Sequence, residues 1–159
     1  MTDPVDLASI PAYLHGQTFS EMKAGSVFRT AGRTITESDL VAFVTLAGLV
    51  EPLFLDDSGS TSHGYKGRLV PGTLTFSYAE GLVMQTGVIH NTGIAFLGSS
   101  LEVLGPVFVG DTITVVVEVL ESRATSKGDR GIVTTRNTVV KSDGTAVLVY
   151  EPKRMILGT

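Results

Sequence analysis

Residues 71–87, PGTLTFSYAEGLVMQTG, constrain the fold more than any other stretch. They are long enough for about four turns of α-helix. Leu74, Tyr78 and Leu82 form one stripe of that helix, and Phe76, Ala79 and Val83 form another. A helix apolar over so much of its circumference belongs inside a core rather than on a surface. Beyond it the period changes. In TITVVVEVL, residues 112–120, Ile113, Val115, Val117 and Val119 share one face, while Thr112, Thr114, Val116 and Glu118 share the other. The two signals together predict the α+β class, a curved antiparallel sheet wrapped around one buried helix.

The rest of the chain fits that frame as a single domain, the natural count for 159 residues. Pro4, Pro11 and Gly16 punctuate an arm over residues 1–24, and the domain is expected over 25–159. Val27 to Thr30 reads as a first strand. Thr36 is the expected N-cap of a helix, with Asp39 completing a shortened capping box and Ile35 and Leu40 spaced as a hydrophobic staple. Leu40, Phe43, Val44 and Ala47 mark its buried face, and Gly48 stops it. SGSTSHGYKGRLV, residues 58–70, is expected to be a glycine-rich loop leading into the central helix. Ile94–Leu104 reads as a strand interrupted near Gly98 and ended by Gly105-Pro106. IVTTRNTVV returns as an antiparallel partner, and Asp143-Gly144 turns into AVLVYEP.

Composition removes whole classes of function. With no cysteine, the chain forms no disulfide, zinc-thiolate site, iron-sulfur ligation or cysteine nucleophile. A formal charge of -4 with only 12 Lys plus Arg leaves no broad basic surface for nucleic acid. No apolar run is long enough to span a bilayer, and the start MTDPVDLASIPAYL lacks the basic and apolar regions of a secretory leader, so no membrane partner and a cytoplasmic location are expected. There is no GxGxxG and no repeated βαβ alternation, and no cofactor is expected. Asp56 and Asp57 have no histidine placed as in a familiar metal site, so no metal is expected either.

Three blocks carry a resemblance to a known family. TITESDLVAFVTLAG followed by EPLFLDD, then GRLVPGTLTFSYAEGLV, then LGPVFVGDTITVVVEVLESR, resemble the MaoC-like, R-specific enoyl-CoA hydratases of the hot dog fold. The resemblance runs from about Gly25 to Leu157. It implies a hot dog domain acting on an acyl thioester carried by coenzyme A or a carrier protein. It also implies reversible addition of water to an enoyl group by an aspartate and a histidine, in a pattern close to Gly-Asp-x-Asn-Pro-x-His. Laid on Gly48 to Phe54, that pattern sets Leu49 at the aspartate position and Phe54 at the histidine position, with Glu51 in place of the asparagine. Neither Leu nor Phe can transfer a proton.

The altered loop leaves two accounts. Either the chain is a catalytically silent substrate-binding or structural subunit of a heteromeric hydratase, or Glu51, Asp56 or His63 substitutes as acid or base. Acyl-thioester hydrolysis, with Glu51 activating water, is a further alternative. Gly72 either offers its amide to a developing oxyanion at the helix N-terminus or only permits a close turn after Pro71. Lys66 and Arg68 are the candidate contacts for the phosphates of coenzyme A, and Tyr78 is expected in the core. Long strands with an edge to protect imply a homodimer, or a heteromer with a related hot dog subunit.

Overall fold

The computed structural model describes residues 15–158; Pro4 and Pro11 of the expected arm lie outside them. In chain order the elements are β1 (Val27–Arg29), β2 (Arg33–Thr34), α1 (Glu37–Ala47), α2 (Pro52–Leu55), α3 (Asp57–Ser62), α4 (Gly72–Gln85), β3 (Gly93–Val103), β4 (Thr112–Ala124), β5 (Arg130–Lys141) and β6 (Ala146–Leu157). The strands form one antiparallel sheet in the order β1-β4-β5-β6-β3, with β2 also paired to β4. This is the α+β hot dog arrangement, with α4 packed across β4 and β6.

The alternation read in β4 is the floor of the core. Ile113, Val115, Val117 and Val119 are all buried, and the intervening residues Thr112 to Glu118 are partly exposed. From α4, Leu74, Thr75, Ala79, Leu82 and Val83 are buried against this floor and against Leu148 and Tyr150 of β6. Phe76 meets the Tyr150 ring edge to face at 5.0 Å, a favoured aromatic geometry. A pair of opposite charges enters this interior. Arg154 is buried, and its guanidinium holds both Glu80 carboxylate oxygens of α4 at 2.6 and 2.7 Å, which answers the cost of burying it.

β6 runs past the expected end at Pro152 to Leu157. Residues after His15 are tied to the domain: the Gly16 and Gln17 amides donate to His90 and Val88, and Met22 is buried beside Val119, Val133 and Ile156. β3 is different. Among the described residues it pairs only with β6, it shifts register between Phe96 and Gly98, and it is exposed along almost its whole length.

Helix α1 starts and stops as its sequence dictates. Thr36 accepts from the Asp39 amide at 3.2 Å while the Asp39 carboxylate accepts from the Thr36 amide at 2.8 Å, and left-handed Gly48 closes the helix on the Val44 carbonyl. Leu40 and Val44 are buried and Phe43 is half-buried, but Ala47 is exposed, so the buried face is narrower than its spacing predicts.

Asp39 does more than cap. It accepts from the Tyr78 hydroxyl of α4 at 2.7 Å and from Arg33 at 3.0 Å, and the guanidinium lies 3.7 Å from the Tyr78 ring centroid. Tyr78 thus packs by its ring and is held by its oxygen. The Thr36 amide first, then the two hydroxyls and Arg33, hold the Asp39 carboxyl at about 2 against the opposing effect of burial.

A carboxyl lowered from 3.8 to about 2 on folding stabilises the native state fully above the higher value and loses that contribution as pH falls through the lower one. Asp39→Asn is therefore expected to cost about 1–2 kcal/mol near neutral pH. In urea unfolding the gap between the two proteins should shrink steadily as pH drops from 4 toward 2.

Candidate active site

The chain enters α4 on rails. The Val70 amide donates to Val107 at 2.9 Å, the Val109 amide donates to Arg68 at 3.0 Å, and Leu69 bridges Phe108 between them. Pro71 follows as N-cap, and its carbonyl takes the Leu74 and Thr75 amides at 3.0 and 3.1 Å. The Gly72 and Thr73 amides have no hydrogen-bond partner among the described residues. They are the free donors of a helix N-terminus, where the backbone favours negative charge.

A cavity of about 330 Å³ opens at that end, with Gly72 in its wall and Phe54, Val103, Leu104, Val107 and Leu148 among its apolar lining. Two features of the structure bear on glycine at 72. Its amide is free, and a Cβ there would come within 3.1 Å of a Val103 methyl group.

Around the cavity the sequence expects a loop over 58–70, and the structure corrects it. Asp57–Ser62 is a short helix, α3, because Asp56 caps it through the Gly59 amide and the Ser58 hydroxyl. It packs closely on α2 because Gly59 lies against the Pro52 carbonyl where a Cβ would overlap. The Ser58 hydroxyl, then the Gly59 amide, keep the Asp56 carboxyl below its usual range.

Of the candidate acids and bases, Glu51 is exposed at the N-cap of α2 with no side-chain cap bond, and Asp56 is exposed as the cap of α3. His63 is the exposed C-cap of α3, its Nδ1 lying 2.8 Å from the Gly59 carbonyl oxygen. None of the three lines the cavity; Gly72 does. Leu49 and Phe54, by contrast, both pack against the main core.

Arg68 sits where the loop and α1 meet. It donates to Glu37 at 2.6 Å and to the Phe54 carbonyl at 2.9 Å, with its Nε 3.9 Å from Asp57. These bonds make Arg68 a clamp that holds α2 against the cavity. Lys66 is exposed beside it. Sequence reasoning missed Tyr65, Val103 and Leu104, which also line the cavity. The Gly105-Pro106 break marks where β3 ends, but only the pairing of β3 with β6 brings that end to α4.

The model of the MaoC-like domain matches residues 20–141 of the chain. The chain belongs to that family. Among MaoC-like relatives, the (R)-specific enoyl-CoA hydratase of Aeromonas caviae is 31% identical over 114 residues, 72% of this chain and 81% of the hydratase. The mitochondrial 3-hydroxyacyl-[acyl-carrier-protein] dehydratase FERN of Solanum lycopersicum is 27% identical over 135 residues, 85% of this chain and 78% of its own. The crystal structure of a monoamine oxidase regulatory protein from Archaeoglobus fulgidus superposes with a TM-score of 0.83 at 29% identity, covering 91% of this chain and 96% of that one. A Mycobacterium tuberculosis protein with a double hotdog fold is alike in fold, with a TM-score of 0.79 at 24% identity over 91% of this chain and 45% of its own. Among the described residues no helix of this MaoC-like chain is long and apolar enough to cross a membrane.

The clamp can be tested directly. Arg68→Ala removes two hydrogen bonds and leaves the Phe54 carbonyl unpaired. Hydrogen exchange of the amides over residues 52–63 is expected to quicken by about tenfold or more relative to those of β4 and β5.

Proposed function

We propose that this MaoC-like domain holds the acyl group of a thioester in the 330 Å³ cavity, as a substrate-binding subunit of a hydratase or dehydratase whose proton-transferring side chains lie on a related partner. The observation that carries this reading is the position of Phe54. It lines the cavity and packs on the core, while Glu51, Asp56 and His63 all lie outside the lining. An apolar chamber with free amides at one end suits an acyl chain that finishes in a polarised carbonyl. Hydration needs, besides that carbonyl contact, a group that takes a proton from water and one that returns a proton to carbon.

β3 supports the partner. Among the described residues its outer edge is unpaired, and Phe96, Leu97, Leu101 and Val103 along it are exposed. Such an edge invites a second strand. In this reading a second hot dog subunit, either a copy of this chain or a relative, pairs there and closes the open side of the cavity beside Val103. The relatives named as an enoyl-CoA hydratase and an acyl-carrier-protein dehydratase favour a second reading, in which the chain hydrates enoyl thioesters by itself.

Mass-resolved turnover separates the two. The purified chain is expected to bind enoyl-CoA thioesters and leave them unchanged. The doubly substituted chain, Leu49→Asp with Phe54→His, is expected to form hydrated thioester at a rate about 10²–10⁴-fold above the parent, the usual contribution of a positioned acid-base pair. Hydration by the unsubstituted chain, abolished in Glu51→Gln or His63→Ala, would establish the second reading instead.

A further inference from the structure

The cavity wall carries one side chain whose chemistry remains unassigned. Among the described lining residues only Tyr65 and Thr75 have side-chain heteroatoms. Thr75 is buried, and its hydroxyl is directed at the Pro71 carbonyl of its own helix at 3.4 Å. The Tyr65 hydroxyl has no hydrogen-bond partner among the described residues. Among the described lining residues the phenol is therefore the one side chain with free capacity both to donate and to accept.

Its position is set by its surroundings. The Tyr65 amide donates to the Ser60 carbonyl at 3.2 Å, which ties it to the end of α3. The ring meets Phe108 edge on, with centroids 6.2 Å apart and planes at 63°. Phe108 is itself fixed, by its amide on the Asp111 carboxylate at 2.8 Å, by the bridge to Leu69, and by the Lys141 ammonium 5.4 Å from its ring centroid. A ring supported in this way presents its hydroxyl from a defined place, which is what separates a recognition group from a side chain that only fills space.

We propose that Tyr65 is a specificity-determining residue of the cavity and selects acyl groups that carry a hydroxyl over fully saturated ones, by hydrogen bonding to that hydroxyl. The proposal rests on the cavity being the acyl-thioester site. With the thioester carbonyl at the Gly72 amide, the acyl chain runs along hydrocarbon. A hydroxyl on it would lose its water without recompense unless Tyr65 received it. A saturated chain gains nothing from the phenol. Discrimination by one neutral hydrogen bond amounts to about 3- to 10-fold in affinity.

Calorimetric titration of the full chain with 3-hydroxybutyryl-CoA and with butyryl-CoA tests this, comparing the parent with Tyr65→Phe. The substitution removes one oxygen and keeps the ring against Phe108, and an unchanged melting temperature would show that the fold is kept. The parent is expected to prefer the hydroxyacyl thioester. Tyr65→Phe should weaken that ligand about 3- to 10-fold and leave butyryl-CoA within about twofold. Equal weakening of both ligands, or of neither, would overturn the role of Tyr65 while leaving the acyl site standing. If the parent binds neither thioester, the acyl-site reading itself falls.

Discussion

A helix that seals Leu74, Ala79, Leu82 and Val83 from water has to be surrounded, and the sheet is shaped by that need. Burying side chains of this size yields roughly 1.5–3 kcal/mol each for the larger ones. That return exists only if β4, β5 and β6 arch beneath the helix. The four inward valine and isoleucine side chains of β4 supply the floor, while Glu80 crosses the same contact only because Arg154 meets it with two short hydrogen bonds. With α4 enclosed along its length, its N-terminus is only partly exposed at Gly72. It opens on the cavity between Val103, Val107 and Leu148, with the Gly72 amide at the boundary between hydrocarbon and free hydrogen-bonding capacity.

The loop that borders this cavity shows how an unreactive wall is kept in register. Pro52 starts α2, Asp56 starts α3, and Gly59 lets the two short helices touch. Arg68 then draws the Phe54 carbonyl and Glu37 of α1 to one point. Two acids of the loop belong to this construction. Asp56 caps, Asp57 lies near Arg68, and neither reaches the cavity. What faces the cavity is the Phe54 ring, with the Tyr65 phenol beside the helix entrance.

Much of the fold is legible in the sequence because its signals are local. The capping box of Thr36 and Asp39, the stop at Gly48, the alternation of β4 and the interruption of β3 at Gly98 are each written within a few residues. The site is legible only where a backbone feature makes it, as at Gly72. Arg68 reads as a loop cation because its partners, Glu37 and the Phe54 carbonyl, lie 31 and 14 residues away in sequence. Tyr65 reads as a loop aromatic because Phe108, which fixes its ring, comes from the far side of α4 and β3. α3 was hidden for a different reason. DSGSTS has no apolar period, and what holds it helical is the cap at Asp56 and the contact with Pro52.

The central claim is that a thioester carbonyl rests on the free amide at the start of α4. Nuclear magnetic resonance of the uniformly ¹⁵N-labelled chain, titrated with butyryl-CoA, reads that amide directly. The Gly72 proton resonance is expected to move downfield as a saturable function of ligand, with the Thr73, Val103 and Leu148 amides perturbed alongside it. Saturable shifts confined to other parts of the sheet, with Gly72 unmoved, would contradict the account and put the ligand elsewhere.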